Sequence, residues 1–90
     1  MKKILDVERI LTIKVATGKE KDSDEDTGLQ ISSHVDVDNA VVRDKYTMRD
    51  IGIRRYGEFT ASRGTLYISK KELLELRALI DEFAQEVGIE

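Results

Sequence analysis

Ninety residues, 40% of them hydrophobic, are enough for one domain (1–90) with a single core of modest thickness. The absence of cysteine excludes a disulfide framework and any thiolate metal site, and no apolar run approaches the roughly 20 residues that span a membrane. The formal net charge is −3, but between Val41 and Lys71 eight basic residues stand against three acidic ones, a local excess of +5.

Met1-Lys2-Lys3-Ile4-Leu5 begins as a signal peptide would, and Asp6, Glu8 and Arg9 interrupt it before a hydrophobic region forms. A cytoplasmic protein is expected. Leu11, Ile13 and Val15 then alternate with polar or small residues, which predicts a half-buried strand over Glu8–Ala16. Gly18 ends it. Lys19 to Gly28 contains no apolar residue, and a flexible acidic loop is expected over 19–28.

Leu29, Ile31, Val35 and Val37 alternate with polar residues as a second strand with one wet face. Asp38-Asn39 is turn chemistry. Ala40–Tyr56 reads as extended, with a break or bulge expected near Thr47–Arg49 because one strand rarely runs so long. Gly57 and Ala61–Gly64 mark turns, and Thr65–Ile68 is a short last strand. Ser69 followed by Glu72 is a capping box, which opens a helix over 70–87 with Gly88 at its C-terminal cap. The expected class is α+β: an antiparallel sheet of four to five strands, then one C-terminal amphipathic helix packed on one face. The expected core is Leu11, Ile13, Val15, Leu29, Ile31, Val35, Ile51, Ile53, Leu66, Ile68, Leu73, Leu76, Ile80 and Phe83.

Strand phase orders the chemistry. With Ile51 and Ile53 inward, Arg54 and Tyr56 point outward, as does Tyr67 beside Leu66 and Ile68. Tyr46 shares that phase if no bulge intervenes. These four, with Arg43, Lys45 and Arg63 of the same basic segment, are the candidate nucleic-acid-binding residues, since cations follow phosphates and rings stack on bases. The competing reading is cross-strand packing on an exposed sheet face.

Other constellations are weaker. Asp22, Asp24 and Asp26 echo a calcium loop, but its sixth and twelfth positions would be Thr27 and Ser33 instead of glycine and glutamate. His34, Asp36 and Asp38 would share a strand face without a second histidine or a clear partner carboxylate. No catalytic triad, phosphate loop or metal spacing occurs, so no enzyme, no cofactor and no metal are expected. The helix stripe of Leu73, Leu76, Ile80, Phe83 and Val87, widened by Leu74, Leu79 and Ala84, exceeds what one small sheet covers, and Leu74, Leu79 and Phe83 are the expected homodimer interface.

From Ile51 the chain runs Ile-Gly-Ile-Arg-Arg-Tyr, a Gly-Glu-Phe turn, a Ser-Arg-Gly turn, a short strand, and a capped helix beginning Ser-Lys-Lys-Glu-Leu-Leu. This half resembles the positive cofactor four family of transcriptional coactivators and its bacterial and phage relatives, over roughly residues 50 to 87. The resemblance implies a homodimer whose helices pack together and whose curved sheets form a channel for single-stranded DNA. Arg54, Tyr56 and Arg63 would then be DNA contacts and the helix stripe the dimer interface. The expectation is a non-enzymatic single-stranded nucleic-acid-binding protein, an accessory factor of transcription or replication. The alternative partner is a protein: a small phage-type or regulatory protein that binds and inhibits a larger machine, its acidic loop mimicking phosphates.

Overall fold

The computed structural model describes residues 1–19, 25–38, 40–41, 49–57 and 64–88. Five strands, β1 (Lys2–Leu5), β2 (Ile10–Lys19), β3 (Asp26–His34), β4 (Ile51–Tyr56) and β5 (Thr65–Ile68), precede one helix, α1 (Lys70–Glu86). They form a single antiparallel sheet in chain order, β1-β2-β3-β4-β5. The expected α+β architecture is the one observed.

Several boundaries differ from the sequence reading. Lys2–Leu5, ahead of the first predicted strand, form edge strand β1. The Asp6 carboxylate holds the turn that follows, accepting hydrogen bonds from the backbone N–H of Glu8 at 3.0 Å and of Ile10 at 2.9 Å. The loop expected over 19–28 is shorter, because β2 and β3 stay paired out to Lys19 and Asp26 beyond a bulge at Ala16–Gly18. Polar residues continue the ladder there because an antiparallel pair can face water, and Lys19 Nζ lies 2.9 Å from Asp26 Oδ1. Gly28 is required at this point, since a Cβ would sit 1.9 Å from the Val15 carbonyl oxygen. Residues 20–24 of the expected loop lie outside the described residues.

The second predicted strand stops at His34 and not at Val37. Asp36 Oδ1 accepts from the N–H groups of Asp38 (2.8 Å) and Ala40 (3.0 Å), which turns the chain. Asp36 and Asp38 therefore leave the face that they were expected to share with His34. Of the long extended segment expected over 40–56, the described residues hold a bridge between Val41 and Val35 and strand β4. Most of the expected break near Thr47–Arg49 lies outside the described residues.

The capping box is present in both directions. The Ser69 hydroxyl accepts from the Glu72 N–H, and Glu72 Oε1 accepts from the Ser69 N–H, both at 3.1 Å. Gly88, with φ 71°, follows the last turn in the left-handed conformation.

In the register, Leu11, Ile13, Val15, Leu29, Ile31, Ile51, Ile53, Leu66 and Ile68 share one sheet face. Leu73, Leu76 and Ile80 of the helix line a common apolar groove, near 550 Å³, with those of β2, β3 and β4. The expected core closes only in part. Val35, Ile51 and Ile68 are buried; Leu11, Ile13, Ile53, Leu73 and Leu76 are half-buried; Val15, Leu29, Ile31, Leu66, Ile80 and Phe83 are exposed. α1 buries none of its own residues, and its Ile80 and Phe83 are exposed, so it stands off the sheet. At about 10 Å wide it could not in any case cover five strands set about 4.8 Å apart. The Cα radius of gyration, 14.7 Å, accordingly exceeds the roughly 12 Å of a self-covered chain this long. Among the described residues no helix is long and apolar enough to cross a membrane.

Candidate nucleic-acid interface

The opposite sheet face is polar. Directly paired residues of an antiparallel sheet share a face, so the register builds rows running across the strands. One row is Lys2, Lys14, Gln30, Arg54 and Thr65. The next is Ile4, Thr12, Ser32, Gly52 and Tyr67. On the other side of the basic row lie Ala16, Gly28 and Tyr56. Three cations from β1, β2 and β4 thus line up over about 14 Å, with one tyrosine in each flanking row.

Lys2 stands directly opposite Lys14, an arrangement that costs stability through like-charge repulsion. Among the described residues no ion pair joins either lysine or Arg54 to a carboxylate. Asp26 is the only acid within the five strands, and it is engaged by Lys19 at the sheet's end. That hydrogen bond and ion pair hold the Asp26 carboxyl below its usual range.

Small residues free the rings. Tyr56 shares its row only with Gly28 and Ala16, so nothing bulky separates it from the neighbouring row, and Lys14 Nζ lies 4.7 Å from its ring centre. Gly52 has the same role for Tyr67: a Cβ there would fall 3.4 Å from Tyr67 Cε1 and 3.2 Å from Thr65 Cγ2. Tyr67 is 59% exposed. Beside it a groove near 330 Å³ is lined by Gln30, Ser32, Asp50, Gly52, Arg54 and Tyr67, among others.

Of the sequence-derived candidates, Arg54, Tyr56 and Tyr67 come together on this face. Arg43, Lys45, Tyr46 and Arg63 lie outside the described residues. Arg55 falls on the apolar side, opposite Leu29. Sequence reasoning missed Lys2, because its segment carried no strand pattern. It also missed Lys14, whose outward phase in the first predicted strand was available but whose neighbours in space were not. Among the described residues no group of three histidine or acidic side chains is arranged to hold a metal ion.

On α1, Leu74, Leu79 and Phe83 are exposed, Phe83 by 63%. None of the three lines the apolar groove. Comparison with protein-family models, with curated proteins and with solved structures found no match.

Proposed function

We propose that this protein binds single-stranded nucleic acid without catalysing a reaction, as a homodimeric accessory factor of transcription or replication. The observation that carries this reading is the basic row Lys2, Lys14 and Arg54 flanked by Tyr56 and Tyr67. A phosphate chain laid along the row relieves the Lys2–Lys14 repulsion, and bases on either side meet an aromatic ring. Unpaired bases suit such a face, because only splayed bases can stack on protein rings. The β-then-capped-helix resemblance to the positive cofactor four family points the same way.

The homodimer is supported by the uncovered apolar face. A 90-residue chain must bury about 60% of its unfolded surface, yet α1 has no buried residue. The same surface on a second copy is the simplest cover, since a two-fold interface matches a patch to itself. We place the protein in the cytoplasm, where single-stranded intermediates arise and where domains without disulfides are the rule.

The test is fluorescence anisotropy with a labelled oligothymidylate of about 12 nucleotides, a length matched to one small binding domain. Binding at low salt that weakens with a negative log–log slope supports the reading. Absence of binding at low salt overturns it. Capture of a defined protein partner in its place would favour the inhibitor alternative.

A further inference from the structure

The groove beside Tyr67 adds to the end of the basic row a carboxylate that phosphate binding does not use, and it deepens the reading just proposed, on which it rests. Asp50, Gly52 and Arg54 occupy alternate positions along β4 and the residue preceding it, and all three line the groove. Alternate positions are about 6.6 Å apart. The groove thus has an acceptor-only carboxylate at one end, a donor-only guanidinium at the other, and a glycine between them. The Tyr67 ring, held close to Gly52, forms an exposed wall.

The Asp50 carboxyl is half-buried, and its Oδ2, closed off from solvent, has no hydrogen-bond partner, so both oxygens meet a ligand only once the carboxyl rotates toward the groove. A half-buried carboxylate with one oxygen in that state is costly unless a ligand supplies a donor. We infer that this groove reads a base, and that the base it favours is guanine.

The selection follows from edge chemistry. Guanine presents two adjacent donors, N1–H and the N2 amino group, which match the two oxygens of a carboxylate. Its O6 and N7 are both acceptors, the pair that arginine commonly reads. Thymine offers one N–H between two carbonyl oxygens, which a carboxylate repels. Cytosine and adenine each set one amino donor beside a ring-nitrogen acceptor, so one carboxylate oxygen would again face a lone pair. Only guanine sets paired donors toward Asp50 and acceptors toward Arg54 while stacking on Tyr67.

Four labelled probes decide the question: oligothymidylate and alternating (dG-dT), (dI-dT) and (dC-dT) strands, each of about 12 nucleotides. Inosine lacks only the N2 amino group, so it removes one donor and leaves the protein unchanged. The expected result is about five- to tenfold tighter binding of (dG-dT) than of oligothymidylate. Most of that gain should be lost with (dI-dT) and absent with (dC-dT). Asp50→Asn should abolish the guanine preference while binding oligothymidylate at least as tightly as wild type, because the carboxylate that repels thymine carbonyls is gone. Equal affinity for all four strands overturns the inference and leaves single-strand binding standing. A guanine preference that survives both inosine and Asp50→Asn also overturns it. Failure to bind any strand at low salt removes the underlying reading, a separate outcome.

Discussion

The Lys14 ammonium lies 4.7 Å from the centre of the Tyr56 ring, so one residue of the basic row rests on a ring proposed to carry a base. The two roles do not conflict. A ring has two faces, and a base on the free face leaves the cation in place, where it still attracts the adjoining phosphate. The pair also explains how Tyr56 stays half-buried while standing on an open sheet face.

Tyr56→Ala should therefore cost about 1–3 kcal/mol of single-strand affinity through lost stacking. It should lower folding stability by no more than about 1 kcal/mol, because the ring leaves no cavity in a closed core. Anisotropy titration and urea denaturation measure the two separately. A stability loss of several kcal/mol would place the ring in a structural role and remove it from the interface.

Arg54→Ala and Lys2→Ala act on a different quantity. Each should reduce the log–log salt slope by about 0.7, one single-strand phosphate contact, with relative base preference on thymidylate and cytidylate strands unchanged. The double variant should lose about twice that amount. Slopes identical to wild type would show that the phosphates follow another path.

The exposed helix stripe makes a prediction about mass. Sedimentation equilibrium at tens of micromolar should give twice the 10.2 kDa of one chain. Leu79→Glu with Phe83→Glu should return the single-chain mass with the circular dichroism spectrum retained, because both residues are exposed in one chain. A wild-type protein that sediments as a single chain would dispose of the dimer.

Acid stability should report the helix start. Arg49 Nε donates to Glu72 Oε1 at 3.0 Å, and the Ser69 N–H donates to the same oxygen. The Arg49 hydrogen bond, then the backbone one, hold the Glu72 carboxyl below its usual range. A depressed folded-state pKa means that the unfolded chain takes up the proton first. The stabilisation is present above the ordinary carboxylate pKa and disappears as pH falls through the depressed one. Thermal melts should show Glu72→Gln flattening part of the acid-side fall in Tm. Ser69→Ala, which removes the reciprocal cap, should cost about 1 kcal/mol at neutral pH. An acid limb unchanged in Glu72→Gln would show that other carboxylates set it.

Local pattern determined what depends on neighbours in the chain. The alternation of Leu11, Ile13 and Val15 and of Ile51 and Ile53, the Ser69–Glu72 cap and the periodic leucines of α1 were legible because strand phase and helix capping operate within a few residues. The outward set of Arg54, Tyr56 and Tyr67 followed from the same rule. Pairing was not legible. Lys2 and Lys14 join Arg54 only through the β1-β2-β3-β4 register, and the room for Tyr67 depends on Gly52 in the adjacent strand. The length of β3 also depended on partners: Asp26–Gly28 read as loop from their polarity, yet a ladder with Ala16–Lys19 holds them. The incomplete core has the same origin. A hydrophobic pattern states which face seeks cover, but how much it receives depends on the area of the one helix set against five strands, a quantity that exists only once the chain has folded.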